Sequence, residues 1–251
     1  MSEKITDLEL YNTQMSYSIN DKLFFLNHIK IDEVDTIVDF GCANGELFKY
    51  CPVEWKKIGI DNNLDMIKSA RANFSAAFYT TELDKLGAYD CSKAILNMSS
   101  VIHEIYSYLN YEDIRQFWYE VFHRNFKYIV IRDMMVSDNT NVHWDEDDVS
   151  KVLSNPKGRL FDDFRKHFAE CRRRDLIHFL MKYRYTENWA RERAENYYPI
   201  TVEELFNLIP DTYEYVYYRP YILEWTRDKV KEDFGIQLTD PTHIKLILKR
   251  I

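Results

Sequence analysis

Apolar residues recur along this chain in two rhythms. Short runs rich in β-branched and aromatic residues alternate with stretches of helical spacing. The runs predict strands at 36–40, 57–60, 77–80, 92–97 and 128–132. The spacing predicts helices at 64–73, 102–109 and 111–126. Such alternation predicts a parallel sheet covered by helices on both faces. The unbroken runs Ala94-Ile95-Leu96 and Tyr128-Ile129-Val130-Ile131 suit strands buried on both sides. Ahead of the sheet, Leu8, Leu10, Tyr11, Met15, Leu23, Phe24, Phe25, Leu26 and Ile29 predict one or two helices within 5–30. From 136 to 199 helical spacing dominates, with helices expected at 145–153, 159–173, 176–184 and 187–196. Thr201 and Glu204 have the spacing of a capping box that opens a short helix to Ile209. Runs at 213–218 and 243–248 complete seven expected strands. The chain thus divides into a helical segment (1–33), a strand–helix core (34–135), a helical insertion (136–199) and a closing helix with a strand pair (200–251), all in one domain.

Within the core, the run Thr36-Ile37-Val38-Asp39-Phe40 breaks into Gly41-Cys42-Ala43-Asn44-Gly45 and then into helix-compatible sequence. A strand that turns at once into a helix needs residues without bulk, and glycine lets a ligand lie against the main chain. Twenty residues after Gly41, the run Ile58-Gly59-Ile60 ends in Asp61. An acid at that distance can hydrogen-bond the two hydroxyls of a ribose. The loop lacks the Gly-x-Gly-x-x-Gly of dinucleotide sites, so nicotinamide is disfavoured.

Composition narrows the setting. No stretch of about 18 apolar residues suggests a membrane span, and no secretory leader is expected. Cys42, Cys51, Cys91 and Cys171 show no Cys-x-x-Cys spacing. This disfavours zinc and a disulfide framework, fits a reducing cytoplasm and gives no metal site. The net charge of −8 argues against wrapping a long nucleic acid, although a local basic face remains open.

With these features assembled, the chain resembles the class I S-adenosylmethionine-dependent methyltransferases. Asp39-Phe40-Gly41-Cys42-Ala43-Asn44-Gly45 resembles the family's first motif, with Ala43 in place of its middle glycine. Gly59-Ile60-Asp61, followed by Asn62, resembles the strand with the ribose-binding acid, and Met66 stands where an apolar residue packs on adenine. Glu82 and Leu83 resemble the adenine-contacting pair after the third strand. Asn97-Met98-Ser99 through His103 resembles the loop beside the methyl group. The resemblance implies S-adenosylmethionine as cofactor. It also implies a Rossmann-like, mostly parallel sheet in the order 3-2-1-4-5-7-6, with the last strand antiparallel.

Methyl transfer needs alignment, plus a base when the acceptor must lose a proton. His103, Glu104 and Asp133 are the candidates, because they lie at or just past the carboxyl ends of the fourth and fifth strands. Residues 165–193 carry nine Lys and Arg against four acids, with interleaved aromatic residues. From this segment Arg172, Lys182, Arg184, Tyr185 and Trp189 are expected to hold a small-molecule or nucleotide-like acceptor. Methylation of RNA is the alternative. A further alternative is a regulatory or partner subunit that binds the cofactor without transferring a methyl group. Oligomeric state is not legible.

Overall fold

The apolar runs form β1 (Thr36–Phe40), β2 (Lys56–Ile60), β3 (Phe78–Thr80), β4 (Ala94–Ser99), β5 (Tyr128–Met134), β6 (Tyr213–Tyr221) and β7 (His243–Arg250). They are seen in a computed structural model that describes residues 19–168 and 170–251. One sheet runs in the order β3-β2-β1-β4-β5-β7-β6, as the resemblance implies. The first five strands are parallel, and β7 runs antiparallel to both β5 and β6. Register places Asp39 of β1 between Gly59 of β2 and Asn97 of β4. Every residue of β4 is buried, because helices cover both faces of a central parallel strand.

The helices are α1 (Ile19–Lys22), α2 (Leu64–Asn73), α3 (Ile102–Tyr108), α4 (Tyr111–His123), α5 (Glu146–Ser154), α6 (Phe161–Arg165), α7 (Arg173–Lys182), α8 (Trp189–Ala194), α9 (Val202–Leu208) and α10 (Glu224–Phe234). Asn63 caps α2 by accepting from the Asp65 and Met66 amides. Asn110 caps α4, and the Thr201/Glu204 capping box of α9 is complete. In the N-terminal segment, α1 runs into a 3₁₀ stretch, Leu23–Asn27. The expected helical positions Leu8, Leu10, Tyr11 and Met15 lie outside the described residues.

Three expectations are corrected. The sequence after the glycine loop forms only a 3₁₀ helix, Glu46–Tyr50, because Pro52 disfavours helical backbone at Cys51. The helix expected over 159–173 is broken after α6. Cys171 sits at φ +55°, and its carbonyl accepts from Trp144 N at 3.1 Å. Pairing with the 143–144 segment therefore competes successfully with helix continuation. Helix α10, between β6 and β7, was not expected. It is strongly charged and buries only the narrow stripe Thr226, Val230 and Phe234.

Two apolar layers flank the sheet. A third cluster belongs to the insertion and includes Trp144, Phe161, Phe164 and Phe179. Val230, Phe234, Ile236 and Leu238, from beyond the insertion, complete that cluster. Among the described residues, no helix is long and apolar enough to cross a membrane.

Candidate active site

The glycine loop turns on three left-handed residues, Gly41 (φ +77°), Ala43 (φ +45°) and Gly45 (φ +72°). A Cβ on Gly41 would lie 2.9 Å from Val101 Cγ2, and one on Gly45 would lie 2.9 Å from the Tyr79 hydroxyl. The left-handed φ favours glycine at both positions, and at Gly41 the β-branched Val101 leaves little room for a Cβ. Ala43 takes a conformation that costs an alanine about 1–2 kcal/mol. Its amide donates to Asp61 Oδ2 at 2.9 Å, and Asn63 N donates to Asp61 Oδ1 at 2.9 Å. Burial raises the Asp61 pKa, and these two amides only partly offset it.

The loop opens on a small cleft whose lining includes Asp39, Gly41, Cys42, Ala43, Asn44 and Ser99, with Ile19 and Lys22 arriving from α1. Asn97 Nδ2 donates to Asp39 Oδ1 at 2.7 Å. Burial nevertheless pushes Asp39 up to about 6. Lys22 is pushed down to about 8, by burial first and then by Arg132, against the pull of Asp39. Two buried atoms at the end of β4, Asn97 Oδ1 and Ser99 Oγ, have no protein hydrogen-bond partner.

Past β4 the chain enters α3 through Val101, and Asp133 at the end of β5 fixes that entry. Its Oδ2 accepts from the Val101 and Ile102 amides at 2.9 and 2.6 Å, and His103 Nδ1 meets its Oδ1 at 2.8 Å. Asp133 and His103 are both buried. Burial pushes His103 down, but Asp133, Glu104 and Glu195 together leave it above its ordinary pKa. Burial likewise pushes Asp133 up, and its partners leave it below the ordinary carboxylate value. Beside them, Arg191 of α8 donates to Glu104 Oε1 at 2.9 Å and to Glu195 Oε1 at 2.7 Å. Tyr108 also donates to Glu195 Oε1, at 3.0 Å. Arg132, next to Asp133, pairs with Asp21, which Tyr221 and Lys245 also contact.

In fold, the chain is similar to solved structures of three proteins. One is a SAM-dependent methyltransferase from Methanosarcina mazei (16% identity, TM-score 0.51, covering 90% of this chain and 96% of that one). Another is an S-adenosylmethionine-dependent methyltransferase from Mesorhizobium loti (17%, 0.51, 90% and 95%). The third is the plantazolicin methyltransferase BamL, solved with a triazolic desmethylPZN analogue and SAH (14%, 0.50, 97% and 88%). No protein-family model matches the sequence, and no curated protein does. The chain has the class I methyltransferase fold.

In this methyltransferase fold the cofactor candidates Asp39, Gly41, Cys42, Ala43, Asn44, Asp61, Asn97 and Ser99 gather at the carboxyl ends of β1, β2 and β4. Gly45 closes the loop at the start of the 3₁₀ turn. Met66 is buried in the first turn of α2, and Asn62 beside it is exposed. Met98 and the Leu83 side chain belong to the core, while Glu82 is exposed and pairs with Lys85 at 3.5 Å. His103, Glu104 and Asp133 do come together. No pattern in the sequence pointed to Lys22 or Glu195, and Arg191 stood out only as one of the nine basic residues of 165–193. Arg191 pairs with Glu195 four residues on, but its bond to Glu104 spans 87 residues.

The five acceptor candidates do not gather on one face, and the expected basic surface is dissolved into separate pairs. Lys182 is fully buried. Its ammonium donates to the carbonyls of Glu192 and Glu195 and sits 4.1 Å from the Tyr197 ring centre. Arg172 binds Glu170 and Asn141. Arg184 stacks on Trp225, 4.2 Å from the ring centre. Trp189 packs in the insertion's core with its indole N–H on Asp163. Tyr185 is half-buried, and its carbonyl accepts from the Asn188 amide. Arg165, Lys166, Arg173, Arg174 and Arg193 each hold a carboxylate. Helical geometry scatters neighbouring residues around the axis, so these basic residues are spread over separate contacts.

Proposed function

We propose that the protein is an S-adenosylmethionine-dependent methyltransferase that acts on a small acceptor held between α3 and the insertion. The observation that carries this reading is the left-handed loop of Gly41, Ala43 and Gly45 with the Asp61 carboxylate bonded to its central amide, at the carboxyl edge of a methyltransferase sheet.

The cleft residues fit that cofactor. Asn97 Oδ1 and Ser99 Oγ are buried polar atoms lacking partners, which a polar ligand would satisfy. Lys22 and Asp39 line one cleft with opposite charges, suited to the carboxylate and ammonium of an amino-acid end. Asp61 is the acceptor for ribose hydroxyls. Bound there, the cofactor supplies a methyl group already activated by a positive sulfur.

The remaining work is done by this chain's own side chains. Asp133 holds the proton on His103 Nδ1, leaving Nε2 to take the proton that the acceptor loses. The insertion covers this end of the sheet and excludes water. Arg165, Arg173, Arg193 and Lys182 are paired with carboxylates or carbonyls of the same chain, and Arg184 stacks on Trp225, which favours a small acceptor over RNA.

Calorimetry with S-adenosylhomocysteine tests the cofactor assignment, with one site per chain expected. Tritiated-methyl transfer into extract fractions then tests turnover. Counts in the small-molecule fraction support the reading, and counts in RNA alone overturn the acceptor class. Binding without transfer into any fraction would leave a sensor or partner subunit.

A further inference from the structure

The carboxyl end of β4 meets the end of α8 in a cluster larger than proton transfer requires. A ring nitrogen of His103 and one carboxylate oxygen from each of Glu104 and Glu195 lie within 4.8 Å of one another. Because Nδ1 faces Asp133, the nitrogen that His103 has left for a ligand is Nε2. An ionised carboxylate offers about four acceptor sites. Glu104 uses one in its bond from Arg191, and Glu195 uses two, for Arg191 and Tyr108. Both keep capacity for further donors.

Asp133, Glu104 and Glu195 face His103 and the guanidinium of Arg191. Burial, and with it the neighbouring carboxylate of Glu195, pushes Glu104 up to about 6 against the pull of His103 and Arg191. A phosphate placed here would meet the carboxylates of Asp133, Glu104 and Glu195 around a guanidinium that two of them already hold.

We propose that His103, Glu104 and Glu195 form a receptor for a primary ammonium group on the methyl acceptor. The proposal rests on the methyltransferase reading and names its substrate class, an amine. An ammonium carries three N–H donors and no acceptor. Acceptors placed around it at ordinary hydrogen-bond lengths stand about 4.6 Å apart, which the observed spread accommodates. Zinc or magnesium draws oxygen and nitrogen ligands in to roughly 2.0–2.2 Å and would compete with the guanidinium of Arg191 for the same carboxylates. Tyr197, edge-on to His103 with ring centres 5.4 Å apart, walls the site on the insertion side.

The test is calorimetry on the protein loaded with S-adenosylhomocysteine, using butylamine, 1-butanol and butyl phosphate as probes. Butylamine is expected to bind, and the alcohol and the phosphate are not. Glu104→Gln and Glu195→Gln should each weaken the amine roughly tenfold or more while leaving S-adenosylhomocysteine affinity unchanged. Glu195 is buried, so if Glu195→Gln does not fold, the partly exposed Glu104→Gln decides. Equal binding of amine and alcohol, tighter binding of the phosphate, or an unchanged amine affinity in the variants overturns the receptor. So does Mn²⁺ bound at this site, seen by electron paramagnetic resonance and lost in Glu104→Gln, with no amine binding. S-adenosylhomocysteine binding without amine binding overturns the receptor and leaves the methyltransferase reading standing. Failure of the wild-type protein to bind S-adenosylhomocysteine overturns both.

Discussion

One carboxylate, Asp133, holds both the imidazole of His103 and the amides that begin the same helix, so His103 and α3 share a single anchor. The arrangement separates two roles. Asp133→Asn keeps an acceptor oxygen but disfavours the Nδ1–H form of His103. Turnover is expected to fall well beyond any loss of cofactor affinity, as steady-state kinetics and calorimetry on the same preparation would show. Asp133→Ala also strands the buried amides and should cost about 3–5 kcal/mol of stability in urea denaturation.

Asp61→Ala removes the proposed ribose acceptor and its bond to the Ala43 amide. Cofactor affinity should fall by about 1.5–3 kcal/mol while the circular-dichroism spectrum is preserved. Undiminished affinity in a folded variant would remove Asp61 from the site.

Acidity should act on binding and on turnover through different groups. Asp39, held at about 6 by burial, loses its charge as pH falls through that value. S-adenosylhomocysteine affinity should decline there. His103 has a raised pKa, so its base form appears only as pH climbs past the ordinary histidine value, and turnover should rise with it. Its contribution to stability has the opposite sign. The folded state holds that proton more tightly, so the contribution is complete below the unfolded pKa and is lost as pH rises through the folded one. Melting curves and rates measured across the same alkaline series should therefore move in opposite directions.

Lys182→Ala separates a structural lysine from a ligand. Its ammonium satisfies two carbonyls at the end of α8, and losing it should cost about 2–4 kcal/mol. A thermal shift is expected, whereas an acceptor-binding lysine on the surface would leave the melting temperature unchanged.

Much of this was legible because burial on both faces writes the starts of β4 and β5 as unbroken apolar runs. Gly41, Gly45 and Asp61 were legible because a strand–turn–helix with a following acid leaves few residue choices. Other features depend on partners distant along the chain. Glu104 and Arg191 are 87 residues apart, and Lys182 reads as a solvated cation until α8 closes over it. The break at Cys171 follows from pairing with Trp144, which no local propensity contains. In α10, three buried positions among charged neighbours left too faint a stripe to read.

The insertion's apolar cluster takes Val230, Phe234, Ile236 and Leu238 from beyond β6, and β7 lies between β5 and β6. During synthesis, residues 136–199 therefore leave the ribosome with an unfinished core and wait for the chain as far as Leu238 before it can close. The cofactor half of the sheet has no such wait, since β1 to β4 pair among themselves. A nascent chain stalled near residue 210 should already present its glycine loop while the insertion beside α3 remains unassembled, and recombination that swaps 136–199 alone between homologous chains would transplant a core without its last wall.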